Sequence, residues 1–280
     1  MARAIDRETV ARYVRTYVAA PRYAGEHRVR MTAADGVQLT GWALPGPPEA
    51  VASVVLVHGF ANWSRSPRIH AFAHLLAARA PVIVLDLRGH GESEGTCTIG
   101  RDEPLDVAAA VAAARQARPD LPVVTVGVSL GAGAVLLHAA AAEPGSLAVV
   151  VAVSPPAYWE RDGGEGASRI ARLVASPVGR WGLARLTRTR IGRWDGRTDP
   201  VDAVGAIAPA TTVVVHDPAD WYFDERHAQA LYDAASEPKE LWWYPGGGHG
   251  TDLLTPELAD RVLALAARSP LSGEVRRPGA

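Results

Sequence analysis

The chain has 280 residues, 48% of them hydrophobic and 21% charged, enough for one large α/β domain or two small ones and too apolar for a disordered protein. Its formal net charge is −1, so bulk charge supplies no reason for it to hold nucleic acid. Lys239 is the only lysine among 29 basic residues, a bias that GC-rich coding explains better than phosphate recognition does.

At the N-terminus, Ile5, Val10, Val14 and Val18 recur at helical spacing, predicting an amphipathic helix over 5–18 that Pro21 ends. Arg3, Asp6, Arg7, Glu8 and Arg12 leave no uninterrupted apolar run there, which argues against a signal peptide. No apolar stretch approaches the roughly 20 residues of a membrane helix. A cytoplasmic protein without a membrane span is the expectation. Residues 27–44 alternate around Ala34-Asp35-Gly36, the pattern of an antiparallel hairpin. Beyond a Pro/Gly loop at 45–48 the pattern changes to short continuous apolar runs: 51–57, 82–85, 123–128, 147–153 and 212–215, with 241–244 a weaker last member. Runs without alternation belong to strands covered on both faces, hence to a parallel sheet.

Helical segments alternate with them, at about 67–79, 102–117, 131–142, 225–235 and 256–268. The alternation predicts an α/β fold with a mostly parallel, doubly wound sheet and an antiparallel N-terminal edge. A single domain over 1–280 follows, with a core of 22–155 and 206–268 and a disordered tail at 269–280. Residues 156–205 break the rhythm. They hold Trp159, Trp181 and Trp194 but no strand-like run, and nine arginines stand against five acidic residues over 158–200. A connection this long is rarely bare loop. It is read as a helical cap insertion, because it follows the C-terminal end of a strand, where α/β folds place ligands. A basic cap could select anionic substrates, although solvated arginines explain the excess more simply.

Gly127-Val128-Ser129-Leu130-Gly131 lies between a strand and a helix. A sharp strand-to-helix turn needs neighbours without side chains, and it lifts the hydroxyl above the sheet edge at a helix N-terminus. Ser129 is therefore the candidate nucleophile. A serine needs a base, and of nine histidines His249 sits in a glycine loop after the last strand-like run. The base in turn needs a carboxylate to hold its tautomer, and the loop after 212–215 offers two. Asp217, close to the strand end, can cap the loop; Asp220 lies where the loop can turn towards His249. Asp220 is preferred, with Asp217 and Asp252 in reserve. Backbone N–H groups of Leu130 and Phe60 are the candidate oxyanion donors. Cys97 sits in a polar Gly-Thr-Cys-Thr stretch with no base beside it, and a lone cysteine excludes an intramolecular disulfide and a cysteine zinc site. His70 and His74 share a helix face at i, i+4, but no acidic third ligand lies near them in sequence, so no metal and no cofactor are expected.

Taken together and in order, His58-Gly59-Phe60, the stretch from Asp86 to Ser93 (DLRGHGES), the elbow at Ser129, the Asp220 loop and the His249 loop resemble an α/β-hydrolase, over most of the chain from about residue 29 to 268. Within that superfamily the chain is most similar to capped serine hydrolases, including bacterial esterases, monoacylglycerol-lipase-like and serine aminopeptidase-like proteins. The resemblance implies a Ser-Asp-His triad, a cap after the sixth strand and a largely structural DLRGHGES loop. Asp217 departs from it, because relatives usually carry glycine there. The expected activity is cofactor-independent hydrolysis of a small to medium carboxylic ester, with a small acyl compound as the partner. Thioester, amide and carbon–carbon hydrolysis share the machinery, and some members of the fold only bind.

Overall fold

The computed structural model describes residues 25–159 and 171–269. The expected helix at 5–18 and all of the expected tail except Ser269 lie outside them. Eight strands form one sheet in the order β1-β2-β4-β3-β5-β6-β7-β8. They are β1 His27–Thr32, β2 Gln38–Leu44, β3 Ser53–Val57, β4 Val82–Leu85, β5 Val123–Val128, β6 Val149–Val153, β7 Thr211–His216 and β8 Lys239–Trp243. The hairpin β1–β2 is antiparallel, and β2 also runs antiparallel to β4. All pairings from β4 through β8 are parallel.

The helices are α1 Pro67–Ala77, α2 Glu103–Ala117, α3 Leu130–Ala141, α4 Pro177–Leu186, α5 Pro200–Ala203, α6 Glu225–Ala234 and α7 Pro256–Arg268. Strand residues alternate between two apolar layers: Val55 and Val57 face a cluster with Val107 of α2, Val135 of α3 and Leu231 of α6. Val54 and Leu56 face another with Phe72 of α1 and Val262 of α7. The four β3 residues involved are fully buried, each contributing roughly 1.5–3 kcal/mol. This double coverage is why the central strands read as nearly continuous apolar runs without polar alternation.

Differences from the sequence reading sit at element ends. β3 starts at Ser53 and β6 at Val149, two residues inside their apolar runs. The last strand begins earlier than expected, at Lys239, because its polar first residues continue the ladder with β7. In the segment after β6, α4 begins behind Ser176, whose side chain accepts from the Gly179 N–H, and Pro177 occupies the first turn. Its Leu183 packs with Val174 and Ala61, beside Phe60, Ile99, Ile191 and Trp194. Arg190 and Ile191 lie along the loop after β4, where the Cys97 N–H donates to the Arg190 carbonyl at 2.7 Å.

Candidate active site

At the end of β5 the chain turns into α3 through a single residue. Ser129 has φ 53° and ψ −113°, a left-handed conformation costing of order 1–3 kcal/mol in a non-glycine residue. Its N–H donates to the Val153 carbonyl at 2.8 Å, tying the turn to β6. A Cβ on Gly127 would lie 2.3 Å from the Gly131 carbonyl oxygen, and one on Gly131 would lie 2.5 Å from that of His58. Glycine at both positions is thus a steric requirement of the turn.

Two loops from other strand ends meet this serine. His249, after β8, has its Nε2 3.0 Å from Ser129 Oγ and its Nδ1 2.6 Å from Asp220 Oδ2. The short Nδ1 contact assigns the ring proton to that nitrogen, so Nε2 accepts from the serine hydroxyl. Asp220 is buried and its Oδ1 accepts from the Tyr222 N–H at 2.8 Å and the Phe223 N–H at 3.4 Å. The Tyr222 ring lies 4.3 Å from the imidazole, centroid to centroid, and Phe223 closes another side at 5.7 Å. These aromatic walls shield much of the ring and lower the local dielectric, which strengthens its hydrogen bond to the Asp220 carboxylate.

The reserve acids are elsewhere. Asp217 accepts from the Ala219 N–H at 2.9 Å through Oδ1 and from the Gly248 N–H at 2.6 Å through Oδ2. Burial raises its pKa, but the amides of Ala219, Gly248 and Gly246 outweigh this and hold the carboxyl below its ordinary range. Asp252 pairs with Arg68. On the other side of the imidazole, the Gly250 N–H donates to Ser154 Oγ at 2.9 Å. The two amides flanking His249 are therefore pinned from the loops after β7 and β6. Ser154 escapes sequence reasoning, its only local signal being a serine that directly follows an apolar run.

Gly59 brings the loop after β3 against the elbow, since a Cβ there would lie 3.2 Å from Ser129 Cβ. The next N–H is that of Phe60. Leu130 opens α3, and its N–H is among those a helix leaves without an intrahelical acceptor. The DLRGHGES loop supports this region. Asp86 accepts from the Ser64 N–H at 2.7 Å and the Glu92 N–H at 2.9 Å, and burial pushes its carboxyl up to about 6. Arg88 bridges buried Asp106 at 2.8 Å and Asp35 at 2.7 Å. His58 and His90 are buried neutral rings, each accepting from a backbone N–H, of Leu87 at 3.1 Å and Ala61 at 3.3 Å. Burial holds His58 down to about 4 and His90 well below the usual imidazole value. Burial also pushes the Cys97 thiol well up, with Glu103 adding to it, so the thiolate is suppressed.

A family model described as alpha/beta hydrolase fold matches residues 52–224. The chain belongs to the α/β-hydrolase fold family. Among solved structures, the esterase Pf2001 of Pyrococcus furiosus is 20% identical and superposes with a TM-score of 0.71, over 90% of this chain and 98% of its own. An alpha/beta hydrolase from Novosphingobium aromaticivorans, 19% identical, gives a TM-score of 0.61 over 87% and 100%. Identities this low speak for the fold alone. Among relatives by sequence, the uncharacterised protein YfhR of Salmonella typhimurium is 28% identical over 238 residues, which is 82% of this chain and 76% of its own. Lipase LipV of Mycobacterium tuberculosis is 35% identical over 130 residues, 46% of each chain. In this α/β-hydrolase the elbow, the Asp220 loop and the His249 loop all leave the carboxyl ends of parallel strands, the edge at which such sheets hold ligands. No helix among the described residues is long and apolar enough to cross a membrane.

Proposed function

We propose that the protein is a serine hydrolase that cleaves a small to medium carboxylic ester through an acyl-enzyme on Ser129. The observation that carries this reading is the continuous hydrogen-bonded series from Ser129 Oγ through His249 to Asp220, at 3.0 and 2.6 Å. Ser129 Oγ attacks the ester carbonyl carbon while His249 Nε2 takes its proton. The N–H groups of Phe60 and Leu130 receive the oxyanion, and Asp220 stabilises the imidazolium without itself taking a proton. Collapse breaks the ester C–O bond, and the leaving alkoxide takes the proton from His249. Water then gives a proton to His249 and attacks the acyl carbon. The second collapse restores the Ser129 hydroxyl and frees the acid.

Residues 156–205 act as the cap that selects the substrate in this reading. Support comes from Val174 and Leu183, which pack against Ala61 beside Phe60, where a roof over the acyl group would lie. The names of the relatives, an esterase and a lipase, point the same way. The test is turnover of p-nitrophenyl esters and labelling by a fluorophosphonate probe. Ser129→Ala is expected to abolish both while circular dichroism stays unchanged. Retained turnover in a folded Ser129→Ala protein overturns the proposal.

A further inference from the structure

Away from the elbow, α1 carries His70 and His74 one turn apart, and Glu26, just ahead of β1, reaches them both. His70 Nε2 and His74 Nε2 each lie 2.6 Å from the same atom, Glu26 Oε1. The Glu26 and His70 side chains are 1% and 3% exposed, whereas that of His74 is 35% exposed. The second carboxylate oxygen, Oε2, accepts from Arg65 Nη1 at 3.2 Å. The Arg65 guanidinium is itself held over the Trp42 ring at 4.5 Å.

From this convergence we propose that Glu26, His70 and His74 form a binding site for a divalent transition ion of the Zn²⁺ class. Two imidazole nitrogens one helical turn apart plus one carboxylate oxygen are a borderline donor set, suited to Zn²⁺ and poorly suited to Mg²⁺ or Ca²⁺. All three ligand atoms lie within 4.8 Å of one another. Tetrahedral coordination at about 2.0–2.1 Å separates neighbouring ligand atoms by about 3.4 Å. Glu26 Oε1 therefore needs to withdraw by only about an ångström from each ring as the ion enters, a shift its side-chain torsions supply. Each imidazole keeps one proton, moved to Nδ1, and gives its Nε2 lone pair to the ion. Arg65 on Oε2 then serves as the outer partner that orients a ligating carboxylate. The exposed edge of His74 is the entry path, with water completing the coordination. The bound ion would clamp the residues leading into edge strand β1 onto α1, stabilising the fold without entering the reaction at Ser129.

The experiment uses the untagged full chain, stripped with a chelator and dialysed, and titrated calorimetrically with Zn²⁺ and spectroscopically with Co²⁺. Expected are one ion per chain, the visible bands of four-coordinate Co²⁺ and a melting temperature that rises with Zn²⁺. His74→Ala and Glu26→Gln should each weaken binding by more than the roughly 10-fold that losing an outer partner costs at the low end. They should also abolish the thermal shift. His27→Ala, an exposed ring beside Glu26, and Ser129→Ala should bind as the parent does. If Glu26→Gln does not fold, the half-exposed His74 carries the test alone. Absence of binding at millimolar ion, or unchanged affinity in His74→Ala, overturns the proposal.

Discussion

Two aspartates compete for the role of orienting His249, and converting each to asparagine separates them. In Asp220→Asn the side chain has only one way to sit. Its former Oδ1 position faces the Tyr222 and Phe223 N–H groups, so the amide oxygen must stay there. The NH₂ group is then forced to the Oδ2 position, 2.6 Å from His249 Nδ1. The imidazole has to accept at Nδ1 and carry its proton on Nε2, pointing at Ser129 Oγ, where it cannot take the serine proton. A wrong tautomer of this kind costs about 10⁴-fold in kcat, or about 5 kcal/mol of transition-state stabilisation. Asp217→Asn is different. Both of its oxygens accept backbone N–H groups, so one bond is lost whichever way the amide turns. The imidazole keeps its tautomer, and the loss is about 1.5–3 kcal/mol for a hydrogen bond to a charged group. That loss falls on Asp217's own turn or on the loop holding His249, so it should appear mainly as lowered thermal stability with kcat falling no more than about tenfold. Steady-state kinetics on a p-nitrophenyl ester, with thermal melts of both variants, give the comparison. Equal kcat losses in the two variants, or an Asp220→Asn enzyme within tenfold of wild type, would refute the assignment of the acid to Asp220.

Gly131→Ala puts a Cβ 2.5 Å from the His58 carbonyl oxygen and 2.6 Å from that of Val57. Urea unfolding should show a loss of about 1–3 kcal/mol, with the proposed turnover of p-nitrophenyl esters falling as the elbow shifts. Gly182→Ala, half-buried in α4 but with nothing within 4 Å of the new Cβ, should instead be neutral or stabilising by up to about 1 kcal/mol. Burial holds His138 in α3 down to about 4, with nearby Arg115 adding to the effect. The unfolded chain therefore binds a proton that the folded one refuses, and stability falls as pH drops from the ordinary imidazole value towards 4. Between pH 7 and pH 5 this costs about 2 kcal/mol. Unfolding free energies of His138→Leu should fall by that much less over the same interval, and equal slopes would refute the burial argument.

The central strands were legible because β3, β5, β6 and β7 are covered on both faces, so their sequences are dominated by valine and carry no charged residue, Thr125 being the one polar residue inside β5. β8 was harder to delimit, since Lys239 and Glu240 extend the ladder at the sheet edge without being apolar. The elbow was legible because its constraint is local: five consecutive residues hold the turn, and the glycines exclude side chains from it. His249 and Asp220 could be placed by order along the chain, since each follows a strand that ends at the same edge of the sheet.

What escaped sequence reading depends on loops meeting across long separations. Whether Asp217 or Asp220 faces the imidazole is settled by a tight turn in which the Asp220 N–H donates to the Asp217 carbonyl at 3.0 Å. That bond folds the chain back, so Asp217 points its carboxylate at Gly248 while Asp220 reaches the ring. Sequence shows two carboxylates three residues apart and cannot say which one the turn delivers. Ser154 is invisible for the same reason, because its partner Gly250 lies 96 residues on. The same limit governs the pair on α1. With His70 and His74 alone the helix offers two ligands, and a search among their sequence neighbours finds no third. Glu26 lies 48 residues before His74 and arrives only because β1 is the edge strand of the hairpin that flanks β4. A helix face can be read from periodicity, but the group that completes it comes from whichever element the sheet order sets beside it. Contacts of that kind follow from topology, so they become readable only after the order of the strands is known.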